Sequence, residues 1–167
     1  MVITPLEERC HRAKAVRNQI RSAFAGVTLG SGVGLFQGQA LDDYADEARQ
    51  AQARARDEKQ HWSTIPASDL NACNSSLSFF DSEGMRFHLP AFMLAELDGT
   101  FGFSLCFHLA YSTDSASRFS ALNPQQRKAV RAFLILIRDE PDMAFERDHI
   151  DRALEAFWSD QTMPRST

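Results

Sequence analysis

Asp42, Asp43 and Asp46 stand in the run Asp42-Asp43-Tyr44-Ala45-Asp46, with Glu47 directly after it. Residues four apart share a helical face, so this spacing can set oxygens from two carboxylates side by side, as prenyl-transferring enzymes do to hold magnesium and diphosphate. That chemistry needs a second acidic or Asn/Ser/Glu motif and a much longer helical chain, and neither exists in 167 residues. The run therefore reads as a solvated acidic turn near a helix start. Gly30, Gly32, Gly34 and Gly38 evoke a phosphate-cradling loop, since glycine allows close backbone approach to an anion. A Gly-x-Gly-x-x-Gly run would need glycine where Leu35 or Gln37 stands, so these residues predict a flexible connector between helices. His11, His61, His88, His108 and His149 and the cysteines Cys10, Cys73 and Cys106 lack the short regular spacings of a zinc site. Cys106 with His108, or Ser75-Ser76 with a distant histidine, could be imagined as nucleophile and base, yet no nucleophile-elbow motif supports either. No catalytic residue, metal ligand or cofactor is expected.

The elements that must position these residues are helical by pattern. Thr4-Pro5-Leu6-Glu7 is a capping box with proline at the first helical position. It opens a helix from Pro5 to about Phe24, whose stripe is Leu6, Cys10, Ala13, Val16, Ile20 and Phe24, with Arg9, Arg12, Lys14, Arg17 and Arg21 largely off it. Leu35 to Gln60 has one glycine and no proline, which predicts the longest helix, its alanine-spaced second half held by propensity and projecting into solvent. A short helix is expected at 68–73. Asp81 or Ser82 caps a segment to Leu97 in which Met85, Leu89, Phe92, Met93 and Leu97 recur at helical spacing around Pro90, with a hairpin of 77–80 and 85–89 as the rival. Phe101, Phe103, Leu105, Phe107, Leu109 and Tyr111 alternate with small or polar residues, a strand by period. Asn123-Pro124-Gln125-Gln126 is a second capping box, leading a helix with Val130, Phe133, Leu134 and Ile137 on one face. After Pro141 a last helix runs to Trp158, and 162–167 should fray.

Composition agrees with this reading. The 44% hydrophobic and 24% charged residues are those of an average soluble protein. A chain of this mass buries roughly 70% of its extended surface, enough for a core without disulfide or metal staples. The expected fold is mainly α: a single-domain (1–167) irregular bundle of about five or six helices, with one short strand or hairpin around 77–111 as the variant. Its aromatic core should include Phe79, Phe87, Phe92, Phe107, Phe133 and Phe157. The start shows no secretory pattern and the longest apolar run, 132–137, is far too short to span a bilayer. A cytoplasmic protein is expected, with no membrane partner. The formal charge of −4 and pI near 5.7 also argue against a nucleic-acid partner.

The segment 76–92, containing Phe87-His88-Leu89-Pro90-Ala91, and the later run 122–134 together resemble a family of small bacterial proteins of unknown function. Its members share an aromatic-aromatic-Leu-Pro-Ala motif and a Thr-Pro-x-Gln-Arg helix start, with Asn123 here in the threonine's place. The likeness is closest in the C-terminal half. It implies no catalytic residue, because no activity is attached to the family.

Two functional expectations follow. The first is a non-enzymatic protein-interaction domain, most concretely an immunity protein that neutralises a basic toxin, with Asp42, Asp43, Asp46, Glu47, Asp57 and Glu58 displayed together on the long helix as its partner-binding acids. The alternative is a small enzyme or ligand-binding domain with a pocket between the 35–60 helix and the 85–92 segment, using Asp42, Asp43, Arg86 and His88.

Overall fold

A computed structural model describes residues 2–160 of the chain, so the expected fraying at 162–167 lies outside the described residues. The order is α1 (Pro5–Ala23), α2 (Leu35–Asp42), α3 (Glu47–Arg56), α4 (Ala67–Ala72), α5 (Ser82–Leu97), α6 (Cys106–Ala110), α7 (Ser115–Arg118), α8 (Pro124–Arg138) and α9 (Arg147–Ala156), with single 3-10 turns at Trp62–Thr64, Asn74–Ser78 and Pro141–Met143. The protein is thus mainly helical, and the described residues contain no strand.

Both capping boxes form. Thr4 accepts from the Glu7 N–H while Glu7 accepts from that of Thr4, and Asn123 and Gln126 repeat the exchange at α8. Gln126 goes further: its Nε2 donates to the Ala23 carbonyl at 3.2 Å, so the residue that opens α8 also closes the end of α1. α1 accordingly packs along α8 and against α5. Val130, Phe133, Leu134 and Ile137 are all buried on α8, as their spacing requires. α5 is buried around nearly its whole circumference, from Met85 through Phe92 to Ala95. A helix surrounded in this way tolerates Pro90, because the core holds it even though the bond to the Arg86 carbonyl is forgone.

Several expectations are corrected. The long helix over 35–60 is two helices, because the chain turns at Asp43–Asp46. Ala45 N–H reaches back to the Ala40 carbonyl at 2.9 Å and Tyr44 N–H to that of Leu41 at 3.2 Å, a Schellman closure. Asp46 then caps the next helix by accepting from Arg49 N–H at 2.9 Å. α1, at 19 residues, is the longest element. α3 does not project freely: the Arg54 guanidinium donates to the carbonyls of Gly30 and Gly32. That contact also corrects the flexible-connector reading of the glycines. Asp81 accepts from Val33 N–H at 2.9 Å and from Gly84 N–H at 2.8 Å, strapping the loop onto the first turn of α5. A Cβ on Gly32 would stand 2.6 Å from the Gly84 nitrogen, so glycine is needed there for close approach.

The alternation over 101–111 forms bends and then a short helix, α6, instead of a strand, and 77–89 forms a 3-10 turn and the start of α5 instead of a hairpin. A lone strand would leave its backbone groups unpaired, whereas one helical turn satisfies them locally. Phe79 and Phe107 consequently face outward, at 38% and 66% exposure, while Phe87, Phe92 and Phe133 are fully buried and Phe157 is partly buried against the core.

Candidate functional site

The Schellman turn between α2 and α3 sets the most distinctive surface. Its left-handed position, where glycine is usual, holds Tyr44 at φ +54°, the one described non-glycine residue with positive φ. The Tyr44 side chain is 96% exposed. Asp43, Asp46 and Glu47 are exposed around it and Asp42 is half-buried, with no Lys or Arg from 42 to 47. Asp43 accepts from Gln39 Nε2 at 3.1 Å and Asp46 serves as the α3 cap. The turn therefore presents one aromatic ring in a field of fixed carboxylates.

Asp57 and Glu58 do not join that display. Asp57 is buried and accepts from the N–H groups of Phe36 (2.6 Å) and Gln37 (3.2 Å) in the first turn of α2. Burial raises its pKa, with those two bonds pulling the other way. Glu58 folds back on its own loop, accepting from the N–H groups of Lys59, Gln60 and His61, and these bonds, led by that to His61, lower its pKa. Both acids follow α3 and are consumed by backbone donors. The sequence signal was the Asp57–Glu58 pair beyond the last alanine of that helix.

Of the residues of the alternative pocket, Arg86 and His88 are both engaged within α5 itself. Arg86 pairs with Glu83 at 2.9 Å, one turn away. His88 is fully buried, its Nδ1–H donating to the Gly84 carbonyl at 2.7 Å and its ring stacked flat on Phe80 at 4.4 Å. Its Nε2 has no partner, and burial lowers its pKa to about 4, so it is a neutral core residue. His108 is likewise lowered to about 4, by burial and then by Arg118. Burial pushes the Cys106 thiol up to about 12 and that of Cys73 to about 11, which suppresses the thiolate a nucleophile needs. Cys10 lies exposed on α1. Among the described residues no three His, Cys, Asp or Glu side chains are grouped so as to hold a metal ion, and no helix is long and apolar enough to cross a membrane.

Two further features escaped the sequence reading. Phe107, Tyr111 and His149 stack in succession on α6 and α9, with Tyr111 OH donating to Glu146. A cleft of about 480 Å³ opens between the Trp62–Leu70 connector and the 91–98 stretch of α5, with Arg21 and Asp98 among its lining. Phe107 and Tyr111 lie four apart, a helical offset masked by the alternation of 101–111, whereas the contact with His149 and the cleft join residues from separate elements and had no signal in spacing.

Fold and surface together define a helical protein whose buried titratable groups are neutral or hydrogen-bonded and which sets four acids, Asp42, Asp43, Asp46 and Glu47, around one exposed tyrosine. The chain belongs to a family of unknown function, DUF6714, which matches residues 12–162 and so spans both halves of the fold. No curated protein and no solved structure matches it.

Proposed function

We propose that this protein is a binding module that docks a basic protein partner through the α2–α3 turn. The observation that carries the reading is Tyr44. A bulky side chain in a left-handed position costs about 1–2 kcal/mol, and its ring is out in solvent, where it repays nothing to the fold. Strain kept at an exposed aromatic supports a role in binding, because such strain clusters at functional positions. Tyrosine is among the residues most enriched at interface hot spots, and the surrounding Asp43, Asp46 and Glu47 would steer lysine- and arginine-rich surfaces towards it. The form of such a module that best suits a net charge of −4 is an inhibitor covering a basic active site, as an immunity protein covers its toxin.

The test is affinity capture from the native host, with wild-type protein compared against Tyr44→Ala and against a triple reversal of Asp43, Asp46 and Glu47 to lysine. A partner retained by wild type should be lost by both variants. With that partner in hand, the reversal should slow association and flatten its dependence on salt. Equal retention by all three proteins would refute the site.

A further inference from the structure

The arginines of α1 are not alike. Arg9 pairs with Glu140, Arg12 with Asp139 and Arg17 with Asp98, whereas Arg21 makes no ion pair or hydrogen bond within the described residues. This exposed arginine lines the 480 Å³ cleft, a volume in the range of ligand sites. Behind it the walls are more apolar than polar, with Ser63 and Thr100 as the uncharged polar members, the Thr100 hydroxyl donating to the Ala95 carbonyl at 3.2 Å. Trp62 is held rigid by its indole N–H, which donates to the Phe24 carbonyl at 2.9 Å, and it is joined by Ile65, Leu70 and Leu94. Ala91 and Ala95, each 7% exposed, form the α5 side, where any larger residue would fill the space. The acid at the rim, Asp98, is occupied by Arg17 Nε at 2.9 Å, and the same guanidinium donates to the Leu97 carbonyl at 2.8 Å. The uncompensated charge at this cleft is therefore the single positive charge of Arg21.

We propose that the cleft is a binding site for a small organic monocarboxylate, its carboxylate on Arg21 and its apolar body on Trp62, Leu70 and Ala95. An anion with many polar groups along its length would find few partners besides Ser63 and Thr100, and a neutral apolar molecule would forgo the arginine. A charge-assisted bond from a guanidinium to a carboxylate supplies the orientation. The cleft lies on α1, α5 and the 62–70 connector, so occupancy is independent of the Tyr44 turn.

The probe is octanoate, followed by calorimetry and by the emission of Trp62, whose ring forms one wall. Trp158 is 1% exposed elsewhere in the core and supplies a constant background, and a Trp62→Phe variant identifies the responding ring. Wild type should bind octanoate saturably and one to one, and octanol, of equal length but uncharged, at least tenfold more weakly. Arg21→Gln, at an exposed position that spares the fold, should weaken octanoate at least tenfold and leave octanol unchanged. Ala95→Leu, with helical content verified by circular dichroism, should abolish binding of both. Absence of saturable octanoate binding to the wild type would overturn the proposal, as would equal affinity for octanol or an Arg21→Gln variant that binds as the wild type does.

Discussion

Replacing Tyr44 by glycine should stabilise this protein. At φ +54° tyrosine carries the steric cost of a left-handed residue, about 1–2 kcal/mol, between its Cβ and the following carbonyl. Glycine removes that cost but loses more backbone entropy on folding, about 0.5–1 kcal/mol. The ring is 96% exposed, so its deletion removes almost no buried area. The balance is a gain of about 0.5–1 kcal/mol, which in a domain of this size shifts Tm up by roughly 1–4 °C. Tyr44→Ala is the control, since alanine keeps the Cβ and should change stability by less than about 0.5 kcal/mol. Urea unfolding followed by circular dichroism measures both, and the slope m should be common to all three proteins, because the surface exposed on unfolding is the same. The reasoning fails if glycine proves no more stable than alanine, for the turn would then not hold a left-handed residue. It fails differently if alanine costs 2 kcal/mol or more, for the ring would then be packed. A variant that is more stable yet loses its partner would separate the binding role of Tyr44 from its role in the fold.

Phe133→Ala should cost about 3–5 kcal/mol because the ring is fully buried, whereas Phe107→Ala, at 66% exposure, should cost under about 1 kcal/mol; paired unfolding curves decide. Asp57→Ala should cost about 1–3 kcal/mol by orphaning the Phe36 and Gln37 N–H groups, and hydrogen exchange of those two amides should accelerate; unchanged exchange would show that the carboxylate is not their acceptor. Stability should fall as the pH drops from 6.5 towards 4, because His88 and His108 are both lowered to about 4 and the unfolded chain takes up their protons first. The contribution is complete above 6.5, and His88→Leu should flatten the slope in this window; a variant with the wild-type slope would refute the assignment.

Where the cause of an element lies within a few consecutive residues, it could be read directly. The boxes at Thr4–Glu7 and Asn123–Gln126, and the buried face of α8, depend on offsets of three and four along one chain segment, and they form as their spacing demands. Period without partners misled. The 101–111 alternation has the rhythm of a strand, but a strand needs a neighbour to take its hydrogen bonds, and no partner strand is formed by the described residues. The break in the 35–60 helix was hidden for a related reason: its left-handed position carries tyrosine where the usual signal would be glycine.

The acidic run 42–47 illustrates the division most clearly. The sequence by itself determined that four acids and a tyrosine would be neighbours, and the high polarity of the run kept it out of the core. Only the tertiary structure decided that Asp57 would leave that group, because its carboxylate satisfies two N–H groups of α2 some twenty residues away, a pairing of distant donor and acceptor that no local spacing encodes. The same holds for the cleft at Arg21. Whether an arginine is paired depends on which carboxylate the packing of other helices brings within reach, and for Arg9, Arg12 and Arg17 it brings one from at least 80 residues away.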